Sequence, residues 1–155
     1  MLSLIKVRNY AVIDEVEVEF RAGLSVMTGE TGAGKSILVD ALGLTLGERA
    51  DASAVRPGSD RAEISALFEC PDNHPAIKWL REHSLDEEHC CLLRRVVNSE
   101  GRSRAFINTH PVTRQDLRTL GAFLVNIHGQ SSHQALLHGP TQREVLDHHG
   151  GHQDL

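Results

Sequence analysis

A glycine-rich segment at residues 29–36 limits the folds open to this chain more than any other feature. It reads Gly-Glu-Thr-Gly-Ala-Gly-Lys-Ser and matches G-x-x-x-x-G-K-[ST], a loop whose backbone N–H groups surround a phosphate. Such a loop joins a buried strand to the N-terminus of a helix, and the helix dipole also favours an anion. The flanks fit this setting, because residues 24–28 are largely apolar and Leu38, Leu42 and Leu46 follow at helical spacing. The pattern predicts a nucleotide-binding strand–loop–helix unit.

Each fixed position of this loop has a mechanical role. Gly29, Gly32 and Gly34 lack the Cβ atoms that would prevent successive N–H groups from pointing at a phosphate. Lys35 would neutralise the outer phosphates, and the Ser36 hydroxyl would ligate Mg²⁺. A glycine-rich turn with a chance lysine is the alternative, and the strand and helix patterns on either side argue against it. The remaining predicted nucleotide-binding residues are Glu30, Thr31 and Ala33.

The composition restricts the class of protein. The chain has 155 residues, 40% apolar and 24% charged, which is enough for about one globular domain. No apolar run approaches the roughly 20 residues of a membrane span, and the N-terminus lacks the layout of a secretory signal. Three cysteines suit a reducing compartment, so a cytoplasmic location is expected. The net charge of −5 gives no global basic field, and any contact with nucleic acid would have to be local.

Hydrophobic periodicity predicts a mixed α/β chain that is rich in antiparallel strands near its N-terminus. Polar loops and turns separate the predicted elements, and a glycine-containing turn at residues 98–101 indicates a hairpin. Two capping boxes, one at Thr113 and one at Thr141, mark the starts of the last two helices. The predicted strands are residues 2–7, 16–20, 24–28, 64–68, 91–97, 103–108 and 122–127, and the predicted helices are residues 36–46, 76–83, 113–121 and 141 onward.

A metal carboxylate at the end of a buried strand, which hydrolysis of a nucleotide requires, is missing from the sequence. Three apolar runs were candidates. Residues 66–69 are amphipathic, residues 145–147 lie in a predicted helix, and residues 123–125 are followed by the uncharged Asn126. The sequence therefore predicts the binding half of an NTPase without its catalytic half.

Several segments, taken together and in this order, resemble the N-terminal head of the RecN family of bacterial DNA repair proteins, which are SMC-like members of the ABC-type ATPases. The resemblance covers essentially the whole chain. The phosphate loop alone is shared by many NTPases, but its combination with Gly-Arg-Ser-Arg-Ala-Phe-Ile-Asn and Ile-His-Gly-Gln is much more specific. The matching stretches are residues 4–13, 27–40, 46–51, 55–58, 101–108, 111–113 and 127–130.

The resemblance implies an α/β fold, the N-terminal lobe of a P-loop NTPase head of the ABC/SMC type, with a mixed sheet, an antiparallel β subdomain and an incomplete core. Residues 1–140 would form this lobe, and residues 141–155 would begin a long antiparallel coiled coil. A C-terminal half-head would carry the signature motif, the metal carboxylate (Walker B) and the catalytic glutamate. We therefore expect a truncated gene product or a fragment that binds ATP without significant hydrolysis.

The resemblance also implies a function in repairing DNA double-strand breaks by recombination, in the cytoplasm and in association with the nucleoid. ATP and Mg²⁺ would be the cofactors. The implied partners are the C-terminal half-head, a second head in a head-to-head homodimer, and DNA. Two alternatives remain: a self-contained P-loop kinase or GTPase, and a nucleotide-responsive binding module. The kinase or GTPase would need a metal carboxylate and a base-recognition motif that the sequence does not contain.

The resemblance implies further site residues. For each of them the alternative is an ordinary polar residue at the surface. Gln130 matches the family's glutamine loop and would bind Mg²⁺ and position the attacking water, with Gln134 as the alternative. Arg56 would contact the nucleotide or steady the dimer, and Arg49 competes for this role. Groups near the adenine and ribose would come from residues 6–9, which read Lys-Val-Arg-Asn.

Four arginines concentrate positive charge on the predicted hairpin: Arg94, Arg95, Arg102 and Arg104. Strand alternation places Arg102 and Arg104 on the same face. They could contact DNA phosphates, which would give a salt-dependent affinity without sequence preference. They could equally pair with the acidic residues of the chain.

Overall fold

A computed structural model describes residues 1–28, 32–87, 90–125 and 127, with only the backbone described for residues 32–35. The glutamine loop and the helix predicted from residue 141 lie outside these residues. Residues 1–125 form one unit, in which a six-stranded sheet carries three α-helices. None of the helices in the described ranges is long and apolar enough to cross a bilayer.

The sheet has the strand order β2-β1-β3-β4-β5-β6, and every pairing within it is antiparallel. Central pairs join apolar side chains, as where Val7 lies opposite both Val16 and Ile64. The strands are β1 Leu2–Tyr10, β2 Ile13–Glu19, β3 Arg61–Glu69, β4 Cys90–Asn98, β5 Ser103–Ile107 and β6 His110–Val112. The helices are α1 Gly32–Thr45, α2 Pro75–Glu82 and α3 Arg114–Leu124, and a short 3₁₀ turn spans Ala52–Ala54.

The core lies on one face of the sheet, because alternate residues of the central strands are buried there. On β3 and β4 the burial pattern alternates along the full length of each strand, as the period-2 sequence pattern predicts. One cluster packs α1 against β1 and β3, through Ala41, Leu44, Ile5, Val7 and Ile64. A second packs α2 and α3 against β3, β4 and β5, through Leu80, Leu117, Leu120, Phe68, Leu93 and Ile107.

The opposite face of the sheet carries charged side chains in cross-strand pairs. Lys6 Nζ lies 3.0 Å from Glu17 Oε2, and the Arg8 guanidinium lies 3.1 Å from Glu15 Oε1. Opposite charges directly across neighbouring antiparallel strands stabilise a sheet modestly. This face is therefore a polar surface, and we call it the open face.

The predicted α/β class and the hairpin at residues 91–108 are confirmed, but two predicted strands are wrong. Residues 24–28 have no strand structure, and Leu24 and Val26 are 93% and 73% exposed. Their apolar pattern indicates burial, yet no strand in the described part of the chain pairs with them. The sheet is accordingly antiparallel throughout, where a mixed sheet was expected.

The second wrong strand is residues 122–127, because α3 continues to Leu124. The predicted capping box is present, with the Thr113 hydroxyl and the Asp116 carboxylate bonded to each other's backbone N–H groups. Gly121, expected to end the helix, instead lies inside it and allows close packing. A Cβ there would be 3.1 Å from Leu46 Cδ2. This contact explains the glycine without a helix end.

Candidate nucleotide-binding site

The phosphate-loop motif leads into the start of a helix. Helix α1 begins at Gly32, so Gly34 and Lys35 lie in its first turn, where the motif requires a helix N-terminus. Ser36 follows in the same helix and is exposed. Residues 29–31 and the side chains up to Lys35 lie outside the described part. The helix start at Gly32 is one requirement of the roles predicted for Lys35 and Ser36.

Helix α1 is held to the sheet through its C-terminal half. Ala41 is fully buried and Leu44 is 5% exposed, both against β1 and β3. The Thr45 hydroxyl donates a hydrogen bond of 2.7 Å to the Leu42 carbonyl. Gly47 then takes a left-handed φ of +91°, as the predicted C-terminal cap requires. The C-terminal half of the helix is thus buried against the sheet, while Ser36 near its N-terminus is exposed.

A loop between the 3₁₀ turn and β3 brings Arg56 to the end of β1. Arg56 N donates to the Asn9 carbonyl at 2.8 Å, and Ala11 N donates to Ala54 O at 3.0 Å. Between them, Tyr10 and Val55 form an isolated antiparallel bridge, and both pack in the cluster that holds α1. Two non-local backbone bonds therefore position this arginine.

The Arg56 guanidinium pairs with a carboxylate on β2. Its Nη1 lies 2.8 Å from Asp14 Oδ1, and the two side chains are 37% and 79% exposed. An exposed pair of this kind contributes about 0–1 kcal/mol. Arg56 therefore lies in a weak, partly exposed ion pair.

A cavity of about 240 Å³ lies beside α1 and is lined by Tyr10, Asp40, Arg49 and Asp51, among others. Burial raises the pKa of the Tyr10 phenol, and the charges of Asp40, Glu48 and Asp51 raise it further. Hydrogen bonds from Ser53 lower the pKa of the Asp51 carboxyl and keep it ionised. Because carboxylates outnumber the one arginine, this cavity suits a hydroxyl or a cation better than a phosphate.

The charged residues 6 and 8, expected near the adenine and ribose, are not brought to α1. Lys6 and Arg8 lie on the open face in ion pairs with Glu15 and Glu17, whereas α1 packs on the opposite face. Hydrogen bonding to Glu17 and then to Glu15 raises the pKa of Lys6. Strand alternation separates these side chains from the buried Ile5 and Val7, which do contact the α1 cluster.

The hairpin arginines separate into different environments. Arg94 pairs with Glu63 at 3.3 Å and lies over the Phe106 ring at 4.3 Å. Arg102 and Arg104 are exposed and line one depression of about 310 Å³, together with Arg61, Val96 and Asn98. Arg102 also lies 3.4 Å from Glu100. The common surface predicted for Arg102 and Arg104 is present.

Arg95 is the residue that sequence reasoning placed wrongly. It is 3% exposed and lies on the core face of β4 with Cys91, Leu93 and Val97. The signal was available, because period-2 alternation puts position 95 in phase with these apolar residues. The prediction of one charged patch from all four arginines did not take this alternation into account. Gln130 and Gln134, the predicted glutamine-loop residues, lie outside the described residues.

Curated relatives resemble the chain along its whole length. It is 47% identical to the DNA repair protein RecN of Vibrio cholerae over 155 residues, which are 100% of this chain and 28% of the relative. It is 38% identical to the DNA repair protein RecN of Bacillus subtilis over 152 residues, 97% of this chain and 26% of the relative. The chain therefore spans little more than a quarter of these relatives' length.

Solved structures share the fold. A chain described under ATP-driven dimerization and DNA-stimulated activation of SMC ATPases matches with a TM-score of 0.68 at 21% identity, covering 94% of this chain and 96% of that one. The recombination mediator protein RecF bound to ATP matches with a TM-score of 0.61 at 18% identity, covering 94% of this chain and 36% of that one. These likenesses show a shared fold, and the RecN relatives do not favour a self-contained kinase or GTPase. The model of the AAA domain family matches residues 2–138, and the chain belongs to this family.

Proposed function

We propose that this chain is the ATP-binding N-terminal lobe of an SMC-like ATPase head that acts in the repair of DNA double-strand breaks by recombination. The observation that carries the proposal is the start of α1 at Gly32, within an intact G-x-x-x-x-G-K-S motif. The similarity to DNA repair proteins named RecN supports the repair function. The fold shared with SMC ATPases and RecF supports the type of head.

In this proposal ATP is held by the phosphate-loop segment, residues 29–36. Its main-chain N–H groups surround the phosphates, and Lys35 neutralises charge on the β and γ phosphates. Ser36 and Gln130 hold Mg²⁺, and Gln130 also positions the attacking water. Arg56 exchanges its pairing with Asp14 for a contact at the nucleotide, with Arg49 as the alternative.

Hydrolysis would require a partner. The Walker B carboxylate, the signature motif and the catalytic glutamate are expected from a C-terminal half-head, and two heads would enclose ATP in a head-to-head homodimer. The exposed apolar run supports such a partner, because Leu24, Val26 and Met27 are 93%, 73% and 44% exposed beside the phosphate loop. Residues 141–155 would begin the coiled coil that joins the two half-heads.

DNA would be contacted at the depression lined by Arg61, Arg102 and Arg104. These arginines form a local positive surface on a chain whose net charge is −5. Phosphate contacts of this kind give affinity that falls with salt and does not depend on base sequence. A cytoplasmic location in association with the nucleoid follows from a DNA partner.

The test is calorimetry of the chain with ATP and Mg²⁺, comparing Lys35→Ala with Lys78→Ala. Lys78 is an exposed lysine on α2, so its variant removes the same charge away from the motif. We expect saturable binding that Lys35→Ala weakens about 10- to 100-fold, because a charge-assisted hydrogen bond contributes about 1.5–3 kcal/mol. Lys78→Ala should bind as the unmodified chain does. No heat of association at millimolar ATP would refute the proposal.

A second experiment tests the need for a partner. Turnover of ATP should be negligible for the chain alone and should appear when a separately produced C-terminal half-head is added. Robust turnover by the chain alone that disappears in Lys35→Ala would show that the catalytic groups are already present.

A further inference from the structure

A buried arginine without a partner carboxylate lies on β4, an interior strand of the sheet, between Ile64 of β3 and Ala105 of β5. Arg95 is 3% exposed, and its Nε is buried with no hydrogen-bond partner in the structure. Within the described ranges, its guanidinium donates a single hydrogen bond, from Nη2 to the Ser103 hydroxyl at 2.8 Å. No carboxylate among the described residues forms an ion pair with it. Buried charges in proteins are normally paired, so this arginine is unusual.

The surroundings of Arg95 are positive. Arg104 and Arg114 line the same depression, and within the described part of the chain neither forms an ion pair. Burial lowers the pKa of Arg95, and the positive charge of Arg114 lowers it further. Asp116, in the first turn of α3, has its carboxylate bonded to the Thr113 backbone N–H and hydroxyl. Arg114 is therefore the charged neighbour of Arg95 at this depression, whereas strand alternation turns the Arg104 side chain towards the open face.

The shape of this depression follows from the sheet. Strand β6 pairs only with residues 105–107 of β5, which leaves Ser103 and Arg104 at an unpaired edge. The chain then turns at Thr113 into α3, so the first turn of that helix borders the gap. The resulting cavity has a volume of about 690 Å³, which is large enough for a ligand rather than one water. Its apolar wall consists of Ala105, Phe106, Pro111 and Val112.

We propose that this depression is a phosphate-binding site in which Arg95 and Arg114, neither of them part of the phosphate-loop motif, bind one phosphate group. A phosphate group matches the two guanidinium groups better than one carboxylate does, because it carries more charge and more acceptor oxygens. Arginine is the residue whose planar donors fit this group best. A free phosphoanion and a nucleic-acid backbone both supply this group, and the chemistry of the contact is the same.

The test is a nuclear magnetic resonance titration of the full chain that carries Lys35→Ala, which weakens phosphate binding at the loop. Inorganic phosphate is added at constant pH and ionic strength, and the Nε–Hε signal of Arg95 is followed with the amide signals of Ser103 and Arg114. We expect these signals to shift together and to saturate. A second titration with a short DNA duplex identifies the source: saturation by phosphate indicates a free phosphoanion, and saturation by the duplex alone indicates the backbone.

Two variants on one helix provide the matched comparison. Arg114→Gln removes a charge that lines the depression, and Arg118→Gln removes the same charge one turn later, outside it. Arg114→Gln should weaken the saturable binding about two- to fivefold, as expected for one partly exposed charge contact. Arg118→Gln should leave it unchanged. Linear shifts that chloride reproduces, or equal weakening by both variants, would overturn the proposal.

Discussion

Asn108 follows β5 and hydrogen-bonds both to β4 and to the segment after α2. Its substitution is therefore a sharp test of which contacts stabilise the lobe. The residue is 4% exposed. Its Oδ1 accepts a hydrogen bond of 2.9 Å from Leu92 N on β4, and its Nδ2 donates one of 2.6 Å to Leu85 O in the segment after α2. Its backbone has φ +54°, in the left-handed region that asparagine tolerates better than alanine.

Asn108→Ala should destabilise the chain by about 3 kcal/mol. Each lost hydrogen bond leaves a backbone group unpaired in a protected position, at about 1 kcal/mol or more apiece, and alanine adds about 1 kcal/mol for its left-handed backbone. This is a large part of the roughly 5–15 kcal/mol that holds a domain together. Asn108→Gly loses the same two bonds but relieves the backbone, and should be about 0.5–1 kcal/mol less destabilising than alanine.

The assay is urea unfolding followed by far-UV circular dichroism and by the fluorescence of Trp79, which, like Leu85, packs against the core cluster of α2 and α3. Thr109→Ala is the matched control, because its exposed hydroxyl makes only a 3.2 Å bond to Glu87 and should contribute less than about 0.5 kcal/mol. A loss below about 1 kcal/mol for Asn108→Ala would refute the hydrogen-bond argument. A glycine variant no better than alanine would refute the backbone argument.

Three further predictions concern stability. Gly47→Ala should lower the free energy of unfolding in urea clearly more than Gly58→Ala does. Both glycines have positive φ, but a Cβ at Gly47 would lie 2.4 Å from an arginine Cγ on α3, whereas a Cβ at Gly58 would have no atom within 4 Å. Thr113→Ala should cost about 1 kcal/mol through the lost helix cap, measured the same way. Burial raises the pKa of the Cys91 thiol from 9.0 to about 12. The buried neutral thiol therefore contributes fully to the free energy of unfolding below pH 9, and this contribution is lost as the pH rises towards 12. Between pH 9 and about pH 10, Cys91→Ala should lose about 1 kcal/mol less stability than Cys90→Ala, and equal losses would contradict this.

Local signals in the sequence were sufficient for the parts of the fold that local chemistry determines. Helix α1 and its glycine cap follow from leucine spacing and Gly47, and the β4–β5 hairpin follows from alternation on both sides of a turn. Strand β6 has only three residues, one of them Pro111, and gives no periodic pattern. Its existence depends on pairing with β5, which no local pattern records.

The candidate site divides in the same way. The position of the phosphate-binding motif at a helix start was predictable, because loop and helix are contiguous in the chain. The pairing of Arg56 with Asp14 joins residues on separate elements, and only the non-local bonds at Asn9 and Ala11 bring them together. The period-2 pattern of β4 was sufficient to predict the burial of Arg95. That no described carboxylate pairs with this arginine depends on the neighbours that the fold brings to it.

The exposed apolar run at residues 24–28 sets a limit on how a half-head could associate with this lobe. Full burial of Leu24 and Val26 would release about 1.5–3 kcal/mol for each side chain, or roughly 3–6 kcal/mol together. Association of two separate chains costs an estimated 4–15 kcal/mol in lost translational and rotational freedom. This apolar contact alone therefore would not hold two free half-heads together. A covalent link through a coiled coil would raise the effective concentration of the partner half-head and remove most of that cost. The proposed coiled coil thus has a thermodynamic role in assembling the head, in addition to any role in spanning DNA.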